Sequence, residues 1–256
     1  MEYKALARKA RARLLQMHYE SGVGHIGGNL SVLDVLLVLH HEIMEEKDVC
    51  VLSKGHAAGA LYITLWAHGL INDDQLRTFH GDASKMAGHP APRWHDGIPI
   101  ATGSLGHGLP VAAGMALGRK MKNDPARVFC VMSDGEWEEG SNWEALIFIA
   151  HHGLDNLTVL VDANGLQGFG STDGVASLEP LREKIAVHGF SVMEVDGHDS
   201  AAMIDAVNAP TSKPKVVILR TVKGRGVPFM EGKMEWHYLP MNKAQYEEAL
   251  EAVGQA

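Results

Sequence analysis

Arg127-Val128-Phe129-Cys130-Val131-Met132-Ser133-Asp134-Gly135 opens as an apolar run and stops at an acidic residue and a glycine; Leu157-Thr158-Val159-Leu160-Val161-Asp162-Ala163-Asn164-Gly165 repeats the arrangement. A strand with one wet face alternates apolar and polar residues. A short run that is apolar almost throughout must be covered on both faces, which points to a parallel sheet between helices. The spacing predicts strands over Arg127–Met132 and Leu157–Val161, with a helix over Ser141–His152 as the crossover that parallel neighbours require. Working outward, helices are expected over Leu6–Met17, Val32–Met44, Gly55–His68, Leu109–Met121, Glu179–His188, Ser200–Val207 and Asn242–Val253. Further strands are expected over Val49–Leu52, Phe190–Val195 and Lys215–Leu219. Ser31 with Asp34 reads as a capping box for the second helix. Asp73–Ile100 is rich in His, Pro, Gly and Asp without a sustained period, so a long loop with one short helix is expected there. The fold class is α/β, doubly wound, with a mostly parallel sheet and helices on both faces. With 256 residues, no internal repeat and no low-complexity linker, a single domain spanning 1–256 is expected.

Composition narrows the function. At 46% hydrophobic and 21% charged residues the chain can bury a core, and 23 basic against 31 acidic residues, a net charge of −8, argues against nucleic acid or an anionic membrane as partner. The basic residues between Lys4 and Arg13 read as a solvated helix face. Cys50 and Cys130, the only cysteines, lie in apolar runs without metal-ligand spacing, which fits a reducing cytoplasm. No stretch approaches about 18 uninterrupted apolar residues, and the N-terminus is not patterned as a signal peptide.

Gly22-Val23-Gly24-His25-Ile26-Gly27 matches the dinucleotide fingerprint GxGxxG, but it follows a helix rather than a strand, the wrong context for a dinucleotide turn. Its interest is His25, an imidazole set among glycines that allow close backbone approach to a ligand. Ligands of open parallel sheets bind beyond the carboxyl ends of the strands, where Asp134 and Asn164 sit. Each alone is also an ordinary turn residue. Together with a nearby carbonyl such as that of Leu166, they make a hard-oxygen set suited to Mg²⁺ or Ca²⁺. One carboxylate leaves a divalent ion short of negative charge, so the implied ligand is a Mg²⁺–diphosphate.

Ser133-Asp134-Gly135, followed 29 residues after Gly135 by Asn164, is similar to the thiamine diphosphate signature Gly-Asp-Gly…Asn, with serine for the first glycine. The chain resembles the N-terminal, diphosphate-binding part of transketolase. The resemblance is carried by Ser21–Gly28, Leu52-Ser53-Lys54-Gly55-His56-Ala57, Gly88-His89-Pro90, Gly103-Ser104-Leu105-Gly106-His107-Gly108 and Glu235-Trp236-His237, all in the family's order. It implies that Asp134 and Asn164 bind the metal by side chain and Leu166 by its carbonyl, and that His56, Gly135 and His237 approach the diphosphate. It further implies that Gly103 and Leu105 pack near the rings of the cofactor, that His25, His89 and His237 line the reaction centre, and that Glu139 lies near the subunit interface. Ser104 and His107 replace the more usual Pro and Gln, and Tyr238 stands where a small residue is usual.

The same resemblance implies the N-terminal subunit of a split transketolase, which moves a two-carbon ketol unit from a ketose to an aldose. A separately encoded C-terminal subunit would carry the pyrimidine-binding domain and its activating glutamate, in an α2β2 assembly, so this chain by itself is expected to be inactive. The alternatives are an E1-type subunit of a 2-oxo acid dehydrogenase and a noncatalytic interaction subunit of the same fold.

Overall fold

The computed structural model describes residues 2–92 and 94–255. Five strands, β1 (Val49–Leu52), β2 (Val128–Ser133), β3 (Leu157–Ala163), β6 (Ser191–Asp196) and β7 (Lys215–Arg220), form a wholly parallel sheet in the order β1-β2-β3-β7-β6. A separate antiparallel hairpin joins β4 (Leu166–Gln167) to β5 (Gly170–Ser171). All six residues of β2 are buried, because its alternate side chains feed two different cores. Phe129 and Val131 point into the core built with α1 (Glu2–Ser21), α2 (Ile26–Val38), α3 (Ala58–Ala67) and α9 (Ser200–Asn208). Val128, Cys130 and Met132 point into the core built with α5 (Gly108–Met121), α6 (Gly140–His151) and α8 (Leu181–Ala186). The short α4 (Asp73–Leu76) interrupts the long loop as expected, α7 (Thr172–Ala176) follows the hairpin, and α10 (Lys243–Gln255) packs on α1.

The second helix corrects the sequence reading. It begins at Ile26, well before Ser31, and continues past α2 as a π-helical turn over Leu39–Ile43. Ser31 and Asp34 are therefore interior residues and form no capping box. The Ser31 hydroxyl donates to Asp162 Oδ2 at 2.6 Å, and Asp34 accepts from Arg11, so both polar residues serve tertiary contacts that local spacing does not reveal. Ile26–Ile43 is long and apolar enough to cross a bilayer, yet 83% of that window is buried inside the protein. It is a core helix. The helix expected over Glu179–His188 is shorter, Leu181–Ala186, since Pro180 fixes where it can start.

Register places the site. Leu52 is level with Val131, Ser133 with Asp162, and Ala163 with Arg220, so four adjacent strands end together and release their following residues at one edge of the sheet.

Candidate active site

Beyond the carboxyl ends of β1, β2, β3 and β7 lies a cavity of about 460 Å³. Each strand end brings polar side chains to it, among them Lys54 after β1, Asp134 after β2, Asn164 after β3 and Lys223 after β7. His25, His56, Gly103, Leu105, Gly135, Glu139, Leu166 and His237 complete most of the wall. His89 stands just behind it, its ring 6.3 Å from that of His25 and its Cδ2 2.8 Å from where a Cβ on Gly103 would lie. A cavity of about 590 Å³ opens beside α1 and α10 and contains none of these residues.

The floor is electrically unbalanced. Asp162, wholly buried in β3, pairs with the buried Lys54 and accepts from Ser31 and Thr221; burial alone would raise its carboxyl, but Lys54 holds it below the ordinary range. Among the described residues Asp134 has no such cation paired with it, and its oxygens accept the backbone N–H groups of Gly135 at 2.9 Å and Gly165 at 2.6 Å. Burial, followed by the charge of Asp162, pushes it up to about 6. A buried carboxylate short of positive charge, beside an amide oxygen and a backbone carbonyl, fits a divalent cation with hard-oxygen preference. Among the described residues no group of three or more His, Cys, Asp or Glu side chains is placed to hold a metal ion.

Above the floor four imidazoles converge. The His25 ring lies 5.7 Å from His56 and 5.3 Å from His237, and His56 lies 5.5 Å from His237. Burial lowers the pKa of all four, and neighbouring charges add to the effect. His25 is lowered further by His89, His56 by Lys54 and His89 by His80; His237 falls to about 3, with Lys223 contributing after burial. Neutral imidazoles can both donate and accept protons, as a permanent cation cannot. His25 has left-handed backbone geometry, φ 63°, and a buried Nδ1 without a partner. Strain of this kind persists where surrounding structure enforces it. Here the His237 carbonyl accepts from His25 N at 3.1 Å, and a Cβ on Gly24 would lie 2.1 Å from the Tyr238 carbonyl oxygen.

Glu136, fully buried, ties the walls together by accepting from Ser53 Oγ at 2.5 Å, Ser133 N at 2.9 Å and Gly106 N at 3.4 Å. Gly135 lets the hairpin close over the floor, since a Cβ there would lie 2.8 Å from Gln167 Cβ.

Residues 4–256 match the family described as transketolase, thiamine diphosphate binding domain. The chain belongs to that family. It is 37% identical to an apulose-4-phosphate transketolase subunit from Actinobacillus succinogenes, over 98% of this chain and 95% of that protein. It is 36% identical to a 6-deoxy-6-sulfo-D-fructose transketolase subunit from a Clostridium species, over 90% and 88%. Transketolase from Campylobacter jejuni superposes with a TM-score of 0.88 at 28% identity, covering 98% of this chain and 42% of that one. The chain thus spans about two-fifths of the single-chain transketolase it matches in structure and nearly the whole of the subunit relatives.

Within this member of the family, every residue given a site role from sequence except His89 lines this cavity, and His89 stands behind Gly103 with its ring 6.3 Å from that of His25. Sequence reasoning missed Lys54, Lys223 and Glu136. The signal for the lysines was present: Leu52-Ser53-Lys54 and the run Lys215–Leu219 followed by Lys223 place a cation just past an apolar strand, by the rule that identified Asp134 and Asn164. Glu136 gives no such sign, because an acidic residue in a turn is ordinary. Tyr238 also enters the wall, and its hydroxyl donates to Gly168 O at 2.9 Å. Ser104 and His107 are exposed and outside the cavity lining.

Proposed function

We propose that this chain is the cofactor-binding subunit of a two-subunit transketolase, transferring a two-carbon ketol unit from a ketose to an aldose. The observation that carries this reading is one cavity beyond the strand ends lined by two kinds of group: Asp134, Asn164, Lys54 and Lys223, suited to a metal–diphosphate, and the imidazoles of His25, His56 and His237, suited to a hydroxylated substrate. Asp134, Asn164 and the Leu166 carbonyl would hold Mg²⁺. Lys223, cationic at neutral pH although burial and Lys54 lower it to about 8, would neutralise diphosphate oxygens, with His56 and Gly135 beside them. Bound there, thiamine diphosphate supplies a thiazolium carbanion able to break and remake a carbon–carbon bond next to a carbonyl. His25, His89 and His237 would orient the donor's hydroxyls and hold or release protons as the bond exchanges, and Gly103 and Leu105 would shield the reacting end from water.

A separate C-terminal subunit supplying the pyrimidine-binding domain, in an α2β2 assembly, is part of the proposal. It is supported by the subunit names and lengths of the relatives from Actinobacillus and Clostridium. Cytoplasmic residence is also part of it, in keeping with two unpaired, buried cysteines. Those same relatives favour ketol transfer over 2-oxo acid decarboxylation or a noncatalytic role. Their names also set the donor panel: apulose-4-phosphate and 6-deoxy-6-sulfo-D-fructose beside xylulose-5-phosphate. The test is transfer from that panel by the chain complexed with its partner, with Mg²⁺ and cofactor. The expected result is turnover of one donor that disappears in Asp134→Ala; transfer that survives the substitution refutes the metal–diphosphate assignment, and a cofactor-loaded complex inert toward every ketose refutes transketolase.

A further inference from the structure

Lys223 is held from behind by groups outside the cavity. Val222 N–H donates to His198 Nε2 at 2.9 Å, and His198 Nδ1 lies 2.8 Å from Asp34 Oδ2. Because Nε2 accepts a backbone proton, the ring proton is on Nδ1 and points at Asp34, which fixes the tautomer. Asp34 is itself clamped by Arg11, whose guanidinium reaches both carboxylate oxygens at 2.7 and 2.9 Å. His198 and Asp34 are only 7% and 11% exposed. The three side chains come from α1, α2 and the turn before α9, so the helical layer on one face of the sheet is tied to a single backbone N–H in the turn after β7.

The next residue in that turn is Lys223. Its ammonium lies 2.8 Å from His237 Nδ1, and a lysine can only donate, so His237 must accept on Nδ1 and carry its own proton on Nε2. On its other side the turn is anchored by the Thr221 hydroxyl on Asp162 and by Gly224 N on Gly27 O at 2.9 Å. We infer that Arg11, Asp34 and His198 are positioning residues, a relay that sets the place of Lys223 and, through it, the tautomer of the active-site His237. None of the three touches the cofactor cavity; they line the separate one beside α1 and α10. The consequence for cofactor binding rests on the function proposed above, whereas the consequence for His237 does not.

The test compares His198→Ala, His198→Gln and, as a packing control in α9, Val207→Ala. Glutamine can accept from Val222 N–H and donate to Asp34, so it keeps the relay; alanine breaks it. The first readout is the ¹⁵N imidazole shift of His237 in the full, ligand-free chain. A single Nε2–H tautomer is expected in the parent, His198→Gln and Val207→Ala, and a mixture in His198→Ala. The second is cofactor affinity in the complex with Mg²⁺, expected to fall about tenfold in His198→Ala, the scale of one weakened charge-assisted hydrogen bond, and less than about twofold in the other two. If His198→Ala does not fold, Asp34→Asn, which keeps side-chain size and removes the charge that fixes His198, takes its place with the same expectation. An unchanged His237 tautomer in the relay-breaking variant overturns the inference, as does an equal effect in Val207→Ala or in His198→Gln. Tautomer mixing without loss of affinity would uphold the relay and count instead against the diphosphate role of Lys223.

Discussion

Lys54→Met tests the electrostatics under the site. Lys54 and Asp162 are 1% and 0% exposed, so methionine keeps most of the packing volume while leaving Asp162 as a buried carboxylate without its cation. Removing one partner of a buried pair costs about 3–5 kcal/mol. The hydroxyls of Ser31 and Thr221 still donate to Asp162, which puts the expected loss at the lower end, about 3 kcal/mol. For a chain of this size that is a fall in melting temperature of roughly 6–12 °C. The sign of the pH dependence follows. In the parent, Lys54 holds the Asp162 carboxyl low, so the pair's stability is present above the ordinary carboxylate range and is lost as pH falls through the depressed pKa. In the variant burial, the largest influence on Asp162, is opposed by the Ser31 and Thr221 hydroxyls but no longer by a cation, so the carboxyl rises, and the deficit is largest at neutral pH and shrinks under acid as Asp162 takes up a proton. Adding Asp162→Asn should recover most of the loss. The assay is thermal unfolding of the ligand-free chain at several pH values. A single variant melting within about 2 °C of the parent at every pH, well inside the shift expected from an unpaired buried charge, would refute the view that Asp162 is ionised and held by Lys54.

Three further outcomes are expected. Asp134→Asn should remove a fall in ligand-free stability of about 1–3 kcal/mol between about pH 4 and pH 7, because burial and Asp162 raise the native carboxyl and its ionised form costs stability as pH rises through about 6; denaturant titration at a series of pH values reads this, and the same variant, whose amide nitrogen would meet the N–H of Gly135 or Gly165, should lose Mg²⁺-dependent cofactor binding. Cofactor affinity in the complex should be greatest between about pH 6 and pH 8, falling below as Asp134 protonates and above as Lys223 loses its proton; a flat calorimetric profile from pH 5 to 9 would contradict both assignments. Gly24→Ala should lower stability by about 1–3 kcal/mol through overpacking and displace His25, since its Cβ would lie 2.1 Å from the Tyr238 carbonyl oxygen; ketol transfer should fall more than cofactor affinity.

Where the sequence was legible, one simple periodicity did the reading. Continuous apolar runs required a parallel sheet covered on both faces, and the residues just after two such runs, Asp134 and Asn164, gave the floor of the site. The start of the second helix was not legible, because Ser31 and Asp34 have the spacing of a cap and are recruited instead by Asp162, Arg11 and His198, more than a hundred residues away in two cases. The same holds for Glu136 and His198, whose roles rest on backbone N–H groups brought to them by the fold. His25 lay between these extremes: its glycine-rich surroundings marked the loop, but only the converging rings of His56 and His237 show why an imidazole belongs there.

The most direct test of the account is a mixing experiment. This chain and the candidate partner chain would be purified separately and combined at increasing ratio, with thiamine diphosphate and Mg²⁺, while ketol transfer is followed. The account predicts no transfer by either chain alone and activity that rises to a plateau at equal amounts of the two. Transfer by this chain alone would contradict it, and so would a stable, cofactor-loaded pair that moves no ketol unit.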